Sequence, residues 1–193
     1  CSGGNVAEMR DRTGMFGGSP AQIAANYRAG IQRIPRAFQT LQVPIIAAVN
    51  GAAIGAGNDL ACMCDIRIAA DTARFAESFV KVGIVPGDGG CWLLPRVVGW
   101  SKAAELALTG DTIDAAEALR IGLVSQVVPA SQLLEAAMAL GQRIAANPPQ
   151  VLRWTKQLLQ EGRNSTLDQA LDSAGQFQGL GVIGAALQHA DMP

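Results

Sequence analysis

A single acid, Asp59, stands among very small residues in "AAVNGAAIGAGNDLACMCD", residues 47–65. The glycines and alanines would let a substrate carbonyl approach the backbone closely. A helix that begins near Gly55 would also offer the unpaired N–H groups of its first turn, where the helix dipole favours negative charge. The stretch is therefore typical of a site that stabilises an oxyanion beside a carboxylate. Glycines that only permit tight helix packing would give the same pattern, so both interpretations stay open.

A second glycine cluster, "GIVPGDGG" at residues 83–90, raises the question of phosphate binding. Neither cluster is followed by the Lys of a G-x-x-x-x-G-K-[ST] loop, and Pro86 and Asp88 would bring bulk and negative charge to a phosphate. The spacing of "GAAIGAG" also departs from G-x-G-x-x-G. Nucleotide-binding loops are thus disfavoured at both places.

Side chains that usually bind metals or act as nucleophiles form no coherent site. Cys62 and Cys64 are two positions apart in an apparent helix and so point to different sides, and Cys1 and Cys91 add no second close pair. We interpret all four as free thiols that serve as small buried hydrophobic residues. The one histidine, His189, lies close to the end of the sequence. The sequence therefore predicts no metal site and no histidine-based triad.

The elements around these residues follow an α/β pattern. Short apolar runs predict strands and longer periodic runs predict helices, with Asp111, Asp114 and Ser131 as helix starts and Gly122 and Gly162 as helix ends. The predicted strands are "TLQVPIIAAVN", "DIRIAAD" and "FAE", and the predicted helices are "GAGNDLACMC", "SKAAELALTGD", "DAAEALRIG", "SQLLEAAMALGQRIAAN" and "PPQVLRWTKQLLQEG". We expect "DRTGMFGGSPAQ" to form a surface loop before a helix. The second half is therefore mostly helical.

Composition narrows the class of protein. The chain has 193 residues, 49% apolar and 16% charged, which suffices to bury one good core. Its 15 basic and 16 acidic residues are spread along the sequence, so it lacks the basic surface of nucleic-acid-binding proteins. The longest apolar runs, such as "VPIIAAV", are much shorter than the roughly 20 residues of a membrane span, and we expect no charged-then-apolar leader before the domain. We therefore expect a cytoplasmic protein that binds neither nucleic acid nor membranes.

Four motifs carry a resemblance to a known family. They are "VPIIAAVNGAAIGAG", "CDIRIA", "VGIVPGDGG" and "ALRIGLVSQVVP", and they occur in the family's order and spacing. On these motifs the sequence resembles the enoyl-CoA hydratase/isomerase, or crotonase, family along nearly its whole length. The resemblance implies an α/β crotonase-like (ClpP/crotonase) fold, which is a spiral of ββα units followed by a helical C-terminal region.

The same resemblance implies a domain organisation and a substrate. A spiral core would occupy residues 1–128, and a helical region over residues 129–193 would join subunits into a homotrimer or a dimer of trimers. Family members begin with a strand and helix unit that contacts the adenosine end of coenzyme A, so we expect this chain to be a piece of a longer one. The substrate would be an acyl-CoA thioester of fatty acid metabolism. No cofactor is expected apart from the coenzyme A within that thioester.

The resemblance also assigns roles to residues near both glycine clusters. Backbone N–H groups of Ser2 and Ala56 would form the two halves of an oxyanion hole for the thioester oxygen. Family members usually have Gly at position 56, but a backbone donor tolerates the methyl group of Ala56. Seven further residues would line the substrate site: Cys1, Gly3, Gly55, Gly57, Phe79, Pro86 and Gly87.

Proton transfer is the point where the sequence departs from the family. Family hydratases place two glutamates around one water molecule; Asp59 occupies the first position with a shorter carboxylate, but Phe79 occupies the second and cannot transfer a proton. Asp88 is the better substitute, because it lies in the glycine-rich turn that lines the pocket in relatives, although such a turn could use Asp as a solvated cap. Glu77 is the weaker candidate, since in an extended strand it would share a face with Phe79 about 6.6 Å away. Asp59 could instead only stabilise the helix, as a first-turn carboxylate that interacts favourably with the helix dipole.

Two classes of function remain open on these residues. The first is an acyl-CoA enzyme, most like an enoyl-CoA hydratase, in which Asp59 and Asp88 act as acid and base and the backbone of Ser2 and Ala56 holds an enolate; an isomerase or another crotonase-type reaction is the alternative. The second is a family member that binds acyl-CoA without acid–base chemistry. Asp88 favours the enzyme, because an acid among such small residues is easier to explain if the protein performs acid–base chemistry than if it does not.

Overall fold

The computed structural model of the protein describes residues 1–190, and the side chains of residues 1–181. In chain order its helices are α1 (Val6–Asp11), α2 (Pro20–Ala29), α3 (Arg33–Thr40), α4 (Ala56–Met63), α5 (Gly90–Val98), α6 (Trp100–Thr109), α7 (Ala115–Arg120), α8 (Leu133–Ala145), α9 (Pro149–Gly162) and α10 (Leu167–Ala190). Its strands are β1 (Ile46–Val49), β2 (Ala52–Ile54), β3 (Ile66–Ala70), β4 (Arg74–Ala76), β5 (Thr112–Asp114) and β6 (Gln126–Val128). Short 3-10 turns occupy Gly14–Phe16, Ser78–Val82 and Ala130–Gln132. None of the described helices combines the length and the apolar character that a membrane span requires.

The residues form two compact units. The first is made of Cys1–Leu41 and Ile45–Leu140, and the second is made of Gln42–Pro44 and the residues from 141 onward. The division into a spiral core and a trimerisation region after residue 128 stays a prediction.

The first unit is built on two three-stranded sheets. One has the order β1-β3-β6 and is entirely parallel, with Ile46 opposite Ile66 and Ala70 opposite Val128. The other has the order β2-β4-β5, in which β4 is parallel to β2 and antiparallel to β5. The first four strands alternate between the sheets, so that β1, β2 and α4 form one ββα unit and β3, β4 and α5 form the next. The parallel pairs require such crossovers because both strands run the same way.

Small side chains dominate the core of the first unit. Its largest fully buried apolar residues include Phe75, Leu94 and Leu123, and most of the others are alanines. A second cluster joins Ile68 of β3 to Leu133 of α8. Because so many core side chains are only methyl groups, the elements they belong to can pack closely, as α4 does against β2 and α5.

Local signals explain where the helices near the two glycine clusters begin. α4 starts after Gly55, whose φ of 54° and ψ of −120° lie in a region that favours glycine. α5 starts after Gly89, which has a φ of 113°. α7 starts after Asp114, the predicted cap, whose side chain accepts a hydrogen bond from the Glu117 N–H at 2.9 Å.

Three predicted details of the elements are wrong. Asp111 does not start a helix, because the next residues form β5 and pair with β4. Ser131 lies within a 3-10 turn, and α8 begins at Leu133. The segment "DRTGMFGGSPAQ" is more ordered than a loop, since it contains a 3-10 turn and the start of α2 at Pro20, where the Ser19 side chain caps the helix. In each case pairing or capping by neighbouring residues decides the structure.

The second unit is helical. α9 and α10 pack together, and the Trp154 ring stacks on the Phe177 ring with 5.7 Å between centroids. The buried ammonium group of Lys156 donates to the Val43 carbonyl at 2.8 Å. A buried charge needs such a partner, and this bond ties the short segment around Val43 to α9. The predicted solvated residue His189 lies outside the residues whose side chains are described.

The four cysteines are free thiols, as predicted, but they are not all buried. Cys62 is buried in the core, Cys64 is half-buried, and Cys1 and Cys91 are exposed. Burial raises the pKa of the Cys62 thiol to about 12, so it stays protonated. The interpretation as buried hydrophobic residues is therefore wrong for Cys1 and Cys91.

Candidate active site

The pairing of β2 with β4 brings two acids together. Ile54 lies opposite Ala76 in this parallel pair, and the Gly55 N–H extends the pairing by donating to the Ala76 carbonyl at 2.8 Å. Glu77 follows directly after Ala76. Asp59 lies one turn along α4, where its N–H donates to the Gly55 carbonyl at 3.0 Å. The carboxyl groups of Asp59 and Glu77 therefore meet beside the first turn of α4.

A third acid, Asp88, joins them, and we refer to Asp59, Glu77 and Asp88 as the acid cluster. Their exposed fractions are 0%, 1% and 4%, and that of the neighbouring Asn58 is 2%. Asn58 Nδ2 donates to Glu77 Oε2 at 2.9 Å. Gly90, the first residue of α5, covers the cluster: a Cβ on Gly90 would lie 2.5 and 2.7 Å from the two Asp59 carboxyl oxygens and would collide with Glu77 Oε1. Only glycine leaves room for the acids at this position.

Burial and nearby charges raise the pKa values of Asp59 and Glu77. Burial raises the pKa of Asp59 far above its ordinary value, and the charges of Glu77 and Asp88 raise it further. Burial also raises the pKa of Glu77, to about 7, although hydrogen bonds from Asn58 and Asp59 oppose that rise. If every carboxyl were ionised, neither Asp59 oxygen would have a donor among the described residues. A proton on Asp59 supplies a donor, so near neutral pH Asp59 holds a proton while Glu77 titrates.

The glycine-rich turn carries Asp88 to the cluster. Asp88 is buried, and its Oδ1 accepts no hydrogen bond from the described residues. A solvated cap would be exposed, so that alternative for Asp88 is wrong. The adjacent Gly87 carbonyl accepts a hydrogen bond from Gln32 Nε2 at 2.9 Å, and the Tyr27 ring fills the space where a Gly87 side chain would lie. Burial and the Asp88 charge raise the pKa of Tyr27.

The first residues of the sequence run beside β2 and reach the start of α4. The Cys1 nitrogen donates to the Ala52 carbonyl at 2.7 Å, and the Cys1 carbonyl accepts from the Ile54 N–H at 3.0 Å. These bonds continue the pattern of a parallel ladder. They bring Gly3 close to the helix, since a Cβ on Gly3 would lie 3.6 Å from the Ala56 nitrogen and 2.8 Å from the Ile54 carbonyl oxygen. The φ of 91° at Gly3 also favours glycine.

Two backbone donors at this place have no partner. The N–H groups of Ser2 and Ala56 make no hydrogen bond within the described part of the protein. Ala56 is the first residue of α4, so its N–H has no carbonyl to accept it within the helix. Gly57 is needed next to it, because a Cβ on Gly57 would collide with the Cys1 carbonyl. Position 57 thus lets the Cys1–Gly3 segment approach the start of α4.

The remaining predicted lining residues lie around the same glycines. The Phe79 ring packs against Gly55, with ring atoms 3.7–3.8 Å from the place of a Cβ on that glycine. Pro86 and Gly87 are half-buried in the turn that leads to Asp88. Phe79 therefore lies at the start of α4, and Pro86 and Gly87 lie in the turn directly before Asp88.

The expectation that Glu77 shares a strand face with Phe79 is wrong. β4 ends at Ala76, and the 3-10 turn Ser78–Val82 begins directly after Glu77. The change from strand to turn separates the two side chains, and Glu77 joins the acid cluster while Phe79 does not. The signal that could have located Glu77 is its place directly after a strand that pairs with β2, because the residue after such a strand lies across from the start of α4.

Comparison with known proteins decides the family. The model of a family described as enoyl-CoA hydratase/isomerase matches residues 1–179. The chain belongs to the enoyl-CoA hydratase/isomerase family. A short-chain-enoyl-CoA hydratase from Clostridium acetobutylicum is 39% identical over 170 residues, which are 88% of this chain and 62% of that protein. A 1,2-epoxyphenylacetyl-CoA isomerase from Escherichia coli is 36% identical over 181 residues, which are 93% of this chain and 68% of that protein.

A solved member of the enoyl-CoA hydratase/isomerase family has the same fold. The crystal structure of an enoyl-CoA hydratase from Bacillus anthracis matches with a TM-score of 0.82 and 35% identity, over 91% of this chain and 66% of that one. The predicted crotonase-like α/β fold is therefore confirmed. The chain spans 62% of the length of the Clostridium relative.

Proposed function

We propose that this protein hydrates a 2-enoyl-CoA thioester and that the acid cluster moves the protons. The observation that carries the proposal is the convergence of three buried acids on the first turn of α4, whose opening N–H group is unpaired. Ala56 and Asp59 are three residues apart and so lie on the same face of the helix. One small substrate could therefore place its thioester oxygen at the Ala56 N–H and its reactive carbon at the Asp59 carboxyl. The hydratase name of the Clostridium relative supports this assignment.

The proposed oxyanion hole consists of the N–H groups of Ser2 and Ala56. Its support is their lack of hydrogen-bond partners and the short approach of Gly3 to the Ala56 nitrogen. When the thioester oxygen becomes negative, these donors and the positive end of the α4 dipole stabilise it. Each such donor contributes roughly 3 kcal/mol to the stability of the transition state. Gly55 and Gly57 keep the approach free of side chains.

The proposed proton transfers use Glu77 as base and Asp59 as acid. Glu77 accepts a proton from water while the water oxygen bonds to C3, and the electrons of the double bond move to the thioester oxygen to form an enolate. Asp59 then gives its proton to C2 as the enolate collapses to the thioester. Glu77 is left protonated and Asp59 ionised, and transfer of a proton from Glu77 to Asp59 restores the starting state. Asp88 contributes by its charge, which raises the pKa of Asp59 and keeps it protonated before reaction.

A double-bond shift is the second candidate, and Phe79 is the observation that favours it. This residue stands where the resemblance expects the second glutamate of a hydratase, and its ring makes the side of the site next to Gly55 apolar. An apolar wall holds a nucleophilic water poorly. In a shift, one carboxylate would take a proton from C2 of a 3-enoyl thioester and return it to C4. The isomerase name of the Escherichia coli relative is consistent with such chemistry on this fold.

Product analysis in water enriched in oxygen-18 distinguishes the candidates. The purified protein is incubated with crotonyl-CoA and, separately, with 3-hexenoyl-CoA, and the thioesters are analysed by mass spectrometry. Hydration gives a 3-hydroxyacyl-CoA that carries the label, which is the expected result with crotonyl-CoA. Conversion of 3-hexenoyl-CoA to unlabelled 2-hexenoyl-CoA alone would favour the shift. If both thioesters bind and neither reacts, the protein is an acyl-CoA-binding family member without acid–base chemistry.

Assembly into a homotrimer or a dimer of trimers forms part of the proposal. Large apolar side chains are exposed on two helices, Leu108 on α6 and Leu134 and Met138 on α8. Their burial between subunits would be favourable by about 25 cal/mol for each Å² of apolar surface. Sedimentation should give three or six times the mass of one chain, and a mass equal to one chain would contradict the assembly.

Cofactor use and location complete the proposal. The proposed steps use water and side-chain carboxyls, so they need no cofactor beyond the coenzyme A that the substrate carries. We place the reaction in fatty acid metabolism in the cytoplasm. Assay of the dialysed protein in the presence of a metal chelator should leave the turnover of crotonyl-CoA unchanged.

A further inference from the structure

A cleft of about 870 Å³ lies next to the glycine-rich turn. It is bordered by α1, the 3-10 turn after it, α2 and residues 83–87. Much of its lining is apolar, and includes Phe16, Ile23, Ile84 and Val85. A lining of this kind suits the hydrocarbon part of an acyl chain, because it removes apolar surface from water.

Two cations also line the cleft, Arg12 and Arg28. Neither guanidinium forms an ion pair or a side-chain hydrogen bond with any described residue, whereas the nearby Arg10 is paired with Asp11 at 2.8 Å. Two free cations on the wall of an apolar cleft would disfavour a wholly hydrocarbon ligand and favour one that brings an anion to them.

The backbone at Arg12 gives a second indication. Arg12 has a φ of 52°, the only positive φ of a non-glycine residue in the described part of the protein. It ends α1 in the left-handed conformation, where its N–H donates to the carbonyls of Glu8 and Met9. Glycine is the usual residue at such a helix end, because a Cβ is unfavourable there. A long cationic side chain is present at this position in spite of that cost.

The cleft adjoins the acid cluster through Tyr27 and Gly87, which line it. The Tyr27 ring lies against Gly87, and Gly87 is the residue before Asp88. Gln32, which also lines the cleft, donates to the Gly87 carbonyl at 2.9 Å. An acyl chain that leaves the acid cluster past this turn would therefore enter the cleft.

We propose that the cleft receives the distal end of the acyl chain and that Arg12 and Arg28 select chains that end in a carboxylate. The preferred substrates are then the thioesters of dicarboxylic acids rather than those of simple fatty acids. This inference rests on the proposed function for the location of the thioester. The phosphate groups of coenzyme A offer the same anionic chemistry to a guanidinium, so the experiment has to separate a terminal carboxylate from a phosphate.

Binding of unreactive, saturated thioesters provides the test. Calorimetry measures the Kd of adipyl-CoA and of its uncharged methyl ester for the wild-type protein, Arg12→Met, Arg28→Met and the conservative Arg12→Lys. Arg10→Met serves as the control, because Arg10 belongs to the same helix but does not line the cleft. Wild type should bind adipyl-CoA about tenfold more tightly than the ester, the scale of one charge-assisted hydrogen bond. The Arg12→Met and Arg28→Met variants should lower this ratio towards one, Arg12→Lys should retain part of it, and Arg10→Met should retain all of it.

A second set of ligands carries the same two acyl groups on N-acetylcysteamine in place of coenzyme A. These thioesters lack the phosphates, so they show which anion the arginines bind. A charge preference that persists in these shorter ligands supports the carboxylate assignment. An equal Kd for charged and uncharged chains in the wild type overturns it, and so does an equal weakening of both CoA thioesters by the Met variants. Because the saturated ligands cannot be hydrated, charge-selective binding without any hydratase activity would reject the proposed function and leave this inference standing. Failure of every thioester to bind would reject both.

Discussion

The acid cluster and the cleft beside it are neighbours with opposite construction. The acids are buried under Gly90, and the elements that hold them are joined by strand pairing. The cleft is bordered by short helices and a 3-10 turn, and Arg12 and Arg28 are exposed. Burial is what shifts a carboxyl pKa far enough for proton exchange near neutral pH. A cation that only has to attract an anion needs no such burial.

The difference also separates two kinds of sequence requirement. Around the acid cluster, Gly57 and Gly90 are required by a collision that any Cβ would cause. Around the cleft, Arg12 and Arg28 are exposed and can change with little cost to the fold. We therefore expect substitutions in the acid cluster to affect turnover or folding, and substitutions in the cleft to affect the choice of substrate.

The largest effects should come from removing the acids. Asp59→Asn and Glu77→Gln should each lower kcat by about a hundredfold or more, the scale of losing a general acid or base, and change acyl-CoA binding little. Asp88→Asn should lower kcat less, because it removes only the charge that helps to keep Asp59 protonated. Steady-state kinetics on the substrate identified by product analysis measures the loss. The matched control is Asp71→Asn, an exposed acid after β3. Wild-type turnover in Asp59→Asn would show that Asp59 does not donate the proton, and would leave Glu77 or a binding role.

A smaller effect is expected at the backbone donors. Ala56→Val adds bulk at the first residue of α4, beside the place proposed for the thioester oxygen, and should weaken acyl-CoA binding about tenfold or more. Calorimetry with butyryl-CoA measures this change. The methyl ester and carboxylate forms of adipyl-CoA should be weakened alike, because position 56 is not part of the cleft. Unchanged binding in Ala56→Val would place the thioester elsewhere.

Stability should depend on pH through the acid cluster. The pKa of Glu77 is about 7 in the folded protein, above its ordinary value of 4.5. Between these values the folded state holds a proton that the unfolded state lacks, so the free energy of unfolding falls as pH rises from about 4.5 through about 7. The urea midpoint should therefore be lower at about pH 8 than at about pH 5. Glu77→Gln should reduce this slope and Asp71→Asn should not; a wild-type midpoint that rises with pH would contradict the buried, protonated cluster.

The smallest effect is expected at Ser2. Its proposed contribution is a backbone N–H, so Ser2→Ala should change kcat and KM by less than about twofold. Steady-state kinetics beside Ala56→Val provides the measurement. Loss of activity in Ser2→Ala together with full activity in Ala56→Val would show that the side chain of Ser2, rather than the backbone, takes part.

Much of the acid cluster follows from the sequence, and the missing part has a physical cause. Asp59 and Asp88 could be singled out because each is an acid beside a glycine cluster. Glu77 could only be ranked below Asp88, because its location depends on where β4 stops, and periodicity does not distinguish three strand residues from five. β2 was equally hidden: Ala52 and Ala53 look like part of a glycine-rich turn, and only pairing with β4 makes them a strand.

The fold was predictable where long periodic runs dominate and less so where single contacts decide. α6, α8 and α9 match their predicted runs to within a few residues, and Asp114 caps α7 as expected. Arg12 and Arg28 attract no attention in the sequence, since isolated arginines are usually solvated. Both arginines line one cleft because of how the surrounding helices are arranged, and no local sequence pattern indicates that arrangement.

The hydrogen bond from Lys156 to Val43 sets a limit on how this protein can be divided and on the order in which it can fold. Residues 42–44 leave the ribosome more than a hundred residues before Lys156, so this hydrogen bond cannot form until long after the Val43 carbonyl has been made. A fragment that begins at residue 141 would lack the carbonyl to which the buried ammonium of Lys156 donates, and a fragment that ends at residue 140 would lack that ammonium. Neither piece can reproduce the second unit, because that unit needs both α9 and residues 42–44, which are made much earlier.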